Sequence, residues 1–210
     1  MLTVGGNDIG FAAVLADCIY SPLAPELVPG RPGCATRDDL AVRAATAYLA
    51  GVPGAPKPVP SAVSMPALLA TIKAKAPKAQ IYVTGYPRLF GLSFPDPQGC
   101  RVGDLDQVGQ VPLYVTKTDA KWIRRNSEGL NSAIAASVAG ARRHGIDATY
   151  VDVATPFTSH NVCSTGTPWV NGILFTLGNP PTVSTASFHP NARGQQAYAD
   201  AVAAAVKRHS

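Results

Sequence analysis

The sequence predicts an α/β protein, a parallel sheet covered by helices on both faces. Two observations lead there. Short apolar, β-branched runs alternate along the chain with longer runs whose apolar residues recur every three or four positions. The first short run, Leu2-Thr3-Val4, stops at Gly5-Gly6 and passes through Asn7-Asp8 into a helix-like segment. A strand that turns through glycine into a helix is where α/β proteins place their chemistry.

The elements follow in order. Residues 1–4 read as a strand, apolar without alternation and therefore expected at the centre of the sheet. Residues 8–17 read as a helix. Residues 18–34 hold Pro22, Pro25, Pro29 and Pro32, which forbid a regular element. Thr36 is the expected N-cap of the next helix, with Asp38 and Asp39 in its first turn and Leu40, Ala44, Ala47 and Tyr48 on its apolar face. Ser64 caps a third helix built on Met65, Leu68, Leu69 and Ile72. Residues 81–84 form the second strand and lead into Gly85-Tyr86-Pro87-Arg88.

Residues 91–112 read as a long irregular loop. A long helix over 118–144 carries Ile123, Leu130, Ile134, Val138 and Ala141 on one face, and Arg142, Arg143 and His144 suit its C-terminal dipole. The third strand covers 148–153, a last loop 156–185, and a closing helix 191–208 with Tyr198, Ala201, Val202, Ala205 and Val206 turned inward.

A chain of 210 residues with 46% hydrophobic and 15% charged composition suits one folded domain with a substantial core. No apolar run reaches bilayer length. The net charge of +5 is spread along the chain, and its main cluster, Lys121, Arg124 and Arg125, reads as a solvated helix face, not a nucleic-acid stripe. No cofactor or metal site is implied, because neither a CxxC pair nor zinc-type histidine spacing occurs. Cys18, Cys34, Cys100 and Cys163 suit two disulfides and an oxidising compartment. Of three possible connectivities, Cys18–Cys34 and Cys100–Cys163 is the economical one.

Gly5-Gly6-Asn7-Asp8 alone reads equally as a glycine turn with a capping residue. At the other end of the chain, Ser187-Phe188-His189-Pro190-Asn191-Ala192-Arg193-Gly194 opens the closing helix. Together the two blocks resemble the SGNH hydrolases, or GDSL esterases and lipases, of the secreted actinobacterial kind. The resemblance runs from Leu2 onward and takes in Gly85-Tyr86-Pro87-Arg88, Trp122, the Leu130-Asn131 pair and Pro168-Trp169-Val170-Asn171. It implies a three-layer, flavodoxin-like fold with five parallel strands, the same two disulfides, and a serine esterase or lipase acting on small-molecule or lipid esters outside the cell.

Residue by residue, the resemblance makes His189 the general base and Asn7 the oxyanion donor, with Gly5 shaping the turn. Asp8 is then a structural cap. The family's acid three residues before the histidine is replaced by Ala186, whose backbone carbonyl becomes the candidate for orienting the imidazole. Arg88 and His160 are candidate cleft residues, though a turn residue and a loop histidine beside a disulfide have plainer structural readings. The family's Gly-Asp-Ser nucleophile block does not occur. Ser93, Ser164, Ser184 and Ser187 are the loop serines to examine, but none has the strand–turn–helix setting of a nucleophile. The expectation is therefore a single domain over residues 1–210 whose first strand, helix and nucleophile block are missing. A catalytically inactive remnant that binds ligand, and an acyltransferase using the same site, are the alternatives.

Overall fold

A computed structural model describes residues 1–23, 30–105, 110–176 and 182–209. It is a mixed α/β fold. Five helices, α1 (Phe11–Cys18), α2 (Cys34–Leu49), α3 (Met65–Lys75), α4 (Lys117–Arg143) and α5 (Ala192–His209), surround β1 (Ile81–Thr84) and β4 (Ala148–Val151). These two strands pair in parallel, Ile81 opposite Ala148 and Thr84 opposite Val151. Leu2 extends the pair on the β1 side, donating its N–H to the Tyr82 carbonyl at 2.8 Å and accepting the Thr84 N–H at 3.0 Å. All four β1 side chains are buried. One apolar cluster packs Leu69, Val83, Leu130, Ile134 and Val138 on one side of this sheet, and a smaller one packs Tyr82 and Val151 against α5 on the other.

Several elements depart from the sequence reading. Residues 1–4 contribute one bridged residue, at an edge and not the centre: Thr3 is exposed and, among the described residues, Leu2 pairs on one side only. The third strand ends at Val151, not Val153. The Asp152 carboxylate accepts the N–H groups of Ala154 (2.8 Å) and Thr155 (3.2 Å) and folds the chain into a 3₁₀ turn over Thr155–Phe157. Within the expected loop 91–112, β2 (Cys100–Leu105) pairs antiparallel with β3 (Val111–Val115). A bulge between Arg101 and Gly103 breaks the alternation that would have marked it. A short β5–β6 pair, Phe175–Thr176 and Thr182–Val183, lies in the expected loop 156–185. Pro25 and Pro29 lie outside the described residues.

The second helix begins three residues earlier than expected, at Cys34, with Gly33 and not Thr36 as its N-cap. Its cap comes from another helix. The fully buried Asp119 carboxylate of α4 accepts the N–H groups of Gly33 and Ala35, both at 2.9 Å, and the Thr116 hydroxyl at 2.8 Å. Thr116 in turn accepts the Asp119 N–H at 3.0 Å and caps α4. The helix also turns a different face inward: Val42, Ala45 and Leu49 are buried, while Leu40 is 81% exposed. Both disulfides form as expected, Cys18–Cys34 with Cα atoms 5.1 Å apart and Cys100–Cys163 at 5.4 Å. The first joins α1 to α2 beside the Asp119 cap, and the second ties β2 to the loop after the 3₁₀ turn.

Two outcomes follow. Asp119→Ala leaves two backbone donors unpaired and should lower stability by about 3 kcal/mol in urea unfolding; Asp119→Asn, which keeps an acceptor, should cost less. The Tyr150 hydroxyl is pushed up from 10.0 to about 12, first by burial and then by the Asp152 charge. The unfolded chain releases that proton near its ordinary value while the folded chain holds it. Stability therefore falls as pH rises from about 10 to about 12, and Tyr150→Phe should flatten that limb in alkaline unfolding curves.

Candidate active site

The carboxyl ends of the Leu2 segment and of β1 lie side by side, so the turns that follow them meet. At Gly5 φ is +114°, which favours glycine, and an added Cβ would stand 3.2 Å from Leu49 Cδ1. Residues 5–10 then wind directly into α1: the Ile9 N–H donates to the Gly5 carbonyl and the Phe11 N–H to the Gly6 carbonyl, both at 3.1 Å. Asn7 stands exposed at the outside of this turn. The second turn supports the first. Tyr86 Oη accepts the Gly6 N–H at 2.7 Å, and its ring fills the space a Cβ on Gly6 would need. Tyr86 is itself clamped by buried Asn131 of α4, whose Oδ1 accepts the Tyr86 N–H at 2.7 Å and whose Nδ2 donates to the Tyr86 carbonyl at 2.9 Å. Burial pushes the Tyr86 hydroxyl above its usual range.

His189 approaches from the opposite side. Phe188 takes φ +58°, rare for a bulky residue, and its ring packs near Phe90 with centroids 6.5 Å apart. The loop is bound to residues 168–171: the Asn171 N–H donates to the His189 carbonyl and the Asn191 N–H to the Trp169 carbonyl, both at 2.9 Å. Asn191 Oδ1 caps α5 through the Arg193 and Gly194 N–H groups at 3.1 and 3.2 Å. His189 therefore has no capping duty. Its Nδ1 lies 3.0 Å from the Ser187 carbonyl oxygen, which can only accept, so Nδ1 carries the proton and Nε2 keeps a free lone pair.

Gly5, Asn7 and His189 line one cleft of about 810 Å³. Its walls are largely apolar, with Phe11, Leu15, Ile19, Leu113, Leu130, Ile173 and Phe188 among them. The size and lining suit a small amphiphilic ligand.

Other expected positions fall elsewhere. Ala186 does not orient the imidazole. Its carbonyl accepts the His189 backbone N–H at 3.2 Å and the Asn171 side-chain amide at 3.0 Å, because the turn into Phe188 brings the next carbonyl, that of Ser187, to the ring. Arg88 and His160 do not line the cleft. Arg88 pairs with Glu128 at 3.1 Å and donates to the Thr158 hydroxyl at 2.6 Å. His160 stacks on Trp169, centroids 3.7 Å apart, with Nδ1 2.9 Å from the Thr167 carbonyl. Asp8 lines the cleft and does not cap α1, whose N-cap Gly10 receives no side-chain bond.

Ser184 and Ser187 line the cleft, yet both hydroxyls are engaged with backbone. Ser187 bonds both polar groups of Leu174, at 2.9 and 3.1 Å, and Ser184 accepts the Ala186 N–H at 3.2 Å. Among the described residues no serine hydroxyl bonds the His189 ring. Tyr86, Phe188 and Tyr198 are site residues the sequence did not single out as such, and the aromatic beside Gly85 was the available signal for the first.

Over 196 residues, 92% of this chain, the sequence is 30% identical to Lipase 1 of Streptomyces coelicolor, and over 194 residues 27% identical to a lipase of Streptomyces rimosus. Among solved structures it resembles the phospholipase A1 of Streptomyces albidoflavus NA297, with a TM-score of 0.65, 27% identity, and coverage of 97% of this chain and 66% of that one. The extracellular lipase of Streptomyces rimosus follows at 0.60 and 26%, covering 96% and 66%. These lipase and phospholipase relatives fit the SGNH, or GDSL, lipase family that the sequence resembles. No family model matches the chain. The chain spans about half the length of the curated lipases it matches, 54% in each case. The likeness to these lipases thus extends over nearly the whole of this chain.

The His189 loop depends on a glycine. A Cβ on Gly194 would stand 2.1 Å from the Trp169 carbonyl oxygen. Gly194→Ala should cost about 1–3 kcal/mol and shift the His189 imidazole resonances in NMR spectra. Arg193→Ala, at an exposed neighbour, should do neither.

Proposed function

We propose that this cleft is the acyl-transfer site of a secreted carboxylic ester hydrolase acting on lipid esters. The observation that carries the reading is the convergence of a carbonyl-held imidazole and an exposed side-chain amide on one apolar cleft. The lipase and phospholipase names of its relatives support the reaction class, and the extracellular relative and two disulfides support secretion.

In this reading an ester lies with its acyl chain along Phe11, Leu15 and Ile173. A serine hydroxyl attacks the carbonyl carbon while His189 Nε2 takes its proton. The oxyanion that forms receives the Asn7 amide N–H, an uncharged donor that is preorganised by the Gly5-Gly6 turn. His189 then returns the proton to the leaving alcohol, and water repeats the cycle on the acyl-enzyme. The Ser187 carbonyl fixes the tautomer but supplies no full negative charge, so it stabilises the imidazolium less than a carboxylate would. We place the serine in a Gly-Asp-Ser block encoded ahead of Met1.

The second reading, a cleft that binds ligand without chemistry, draws on one observation: no described serine hydroxyl bonds the imidazole. Reading the DNA upstream of Met1 in frame, and assaying the joined protein on nitrophenyl esters, separates the two. An upstream Gly-Asp-Ser block with ester hydrolysis supports the hydrolase. A stop codon directly upstream, with no hydrolysis, supports the binding cleft. In the hydrolase, His189→Ala should lower kcat by about a thousandfold or more. Asn7→Ala should lower kcat by about a hundred- to a thousandfold with little change in KM. Product analysis with an added alcohol distinguishes hydrolysis from acyl transfer to that acceptor.

A further inference from the structure

Among the described residues that line the cleft, Asp8 is the sole carboxylate and none is Lys or Arg. The stretches outside the described residues, 24–29, 106–109, 177–181 and Ser210, contain no Lys, Arg or His either; their charged residues are Glu26 and Asp106, so Asp8→Asn isolates the part that Asp8 plays. The Asp8 carboxylate makes no hydrogen bond or ion pair among the described residues, so nothing there neutralises it. Its charge reaches the neighbouring Tyr86 hydroxyl, where it adds to the upward push of burial. Asp8 directly follows Asn7, and both line the same largely apolar cleft.

A charge at the end of a low-dielectric cleft acts on a ligand's head group more strongly than the same charge in open solvent. An anionic head has no cation to meet there and one carboxylate to repel it. A neutral head meets the Asn7 amide, and a cationic head gains the Asp8 charge. We propose that Asp8 makes this cleft a site for amphiphiles with an uncharged or cationic head group and excludes anionic ones. One consequence rests on the hydrolase reading. Hydrolysis converts a neutral ester and water into an alcohol, a carboxylate and a proton. The new carboxylate forms beside Asp8, and their repulsion favours its release.

The test needs no catalysis. Calorimetric titrations of the 210-residue chain at about pH 8, where decanoate is ionised, compare decanoate with decyltrimethylammonium below their micellar concentrations. These probes share a tail length and differ in head charge. The net charge of +5 favours the anion on the molecule as a whole, so a preference for the cation that Ala12→Trp removes reports the cleft. The cation should bind about tenfold more tightly than decanoate at low salt. Added salt should narrow the gap, Asp8→Asn should reduce it to about twofold or less, and Asp8→Glu should preserve it. Ala12→Trp, which places a ring in the cleft from α1, should remove binding of both probes.

Decanoate binding as tightly as the cation overturns the proposal. So does an unchanged gap in Asp8→Asn, binding that survives Ala12→Trp, or no binding of either probe. The hydrolase reading fails separately, if the cation preference holds while the joined upstream protein leaves nitrophenyl esters intact.

Discussion

Three hydroxyls hold the two sides of the cleft in register. Thr84, fully buried at the end of β1, accepts the Tyr198 hydroxyl of α5 and lies 2.6 Å from Thr3 Oγ1. Thr3 lies 2.7 Å from Tyr198 Oη, closing the triangle. One corner belongs to the segment that leads into Asn7, one to the strand that leads into Tyr86, and one to the helix that His189 introduces. Asn7 and His189 depend on backbone turns: the Gly5-Gly6 turn and the left-handed Phe188. Without a fixed relation between sheet and α5, each turn would be well made and the pair would still not face one cavity.

The supports on each side are of different kinds. The Asn7 turn is held by a chain of polar contacts running inward, from Gly6 to Tyr86 to Asn131, with burial keeping each bond away from water. The His189 loop is held mainly by backbone pairing to residues 168–171 and by a glycine that lets α5 approach. The imidazole leans on a carbonyl and not on a carboxylate, so the cleft concentrates its negative charge elsewhere, on Asp8. Around these few polar atoms the wall is built from the same apolar clusters that hold the domain together. Leu130 shows it best, belonging at once to the buried face of α4 and to the lining of the cleft.

Much of this was legible in the sequence, for physical reasons that differ by element. The long helix α4 declared itself by its period, and β1 by four consecutive apolar or β-branched residues with a glycine after them. His189 and Asn7 were singled out by the family resemblance of their two blocks, and both line one cleft. The orienting carbonyl was misplaced by one residue because nothing in the sequence announces that Phe188 is left-handed. The edge position of Leu2 was hidden because an apolar edge and an apolar centre read alike over three residues. The start of α2 was missed because its cap comes from Asp119, 86 residues from Gly33, and no local pattern reports a long-range cap. Arg88 and His160 were drawn toward the cleft by residue type, while Glu128 and Trp169 satisfied them elsewhere.

The account turns on the His189 ring offering an unprotonated Nε2 toward the cleft. Nitrogen-15 NMR of the imidazole at about pH 8 reads this directly, since the two ring nitrogens shift apart according to which bears the proton. The structure predicts the proton on Nδ1, held toward the Ser187 carbonyl, and a free Nε2. A ring protonated on Nε2, with Nδ1 as the acceptor, would contradict the geometry and the role proposed for His189.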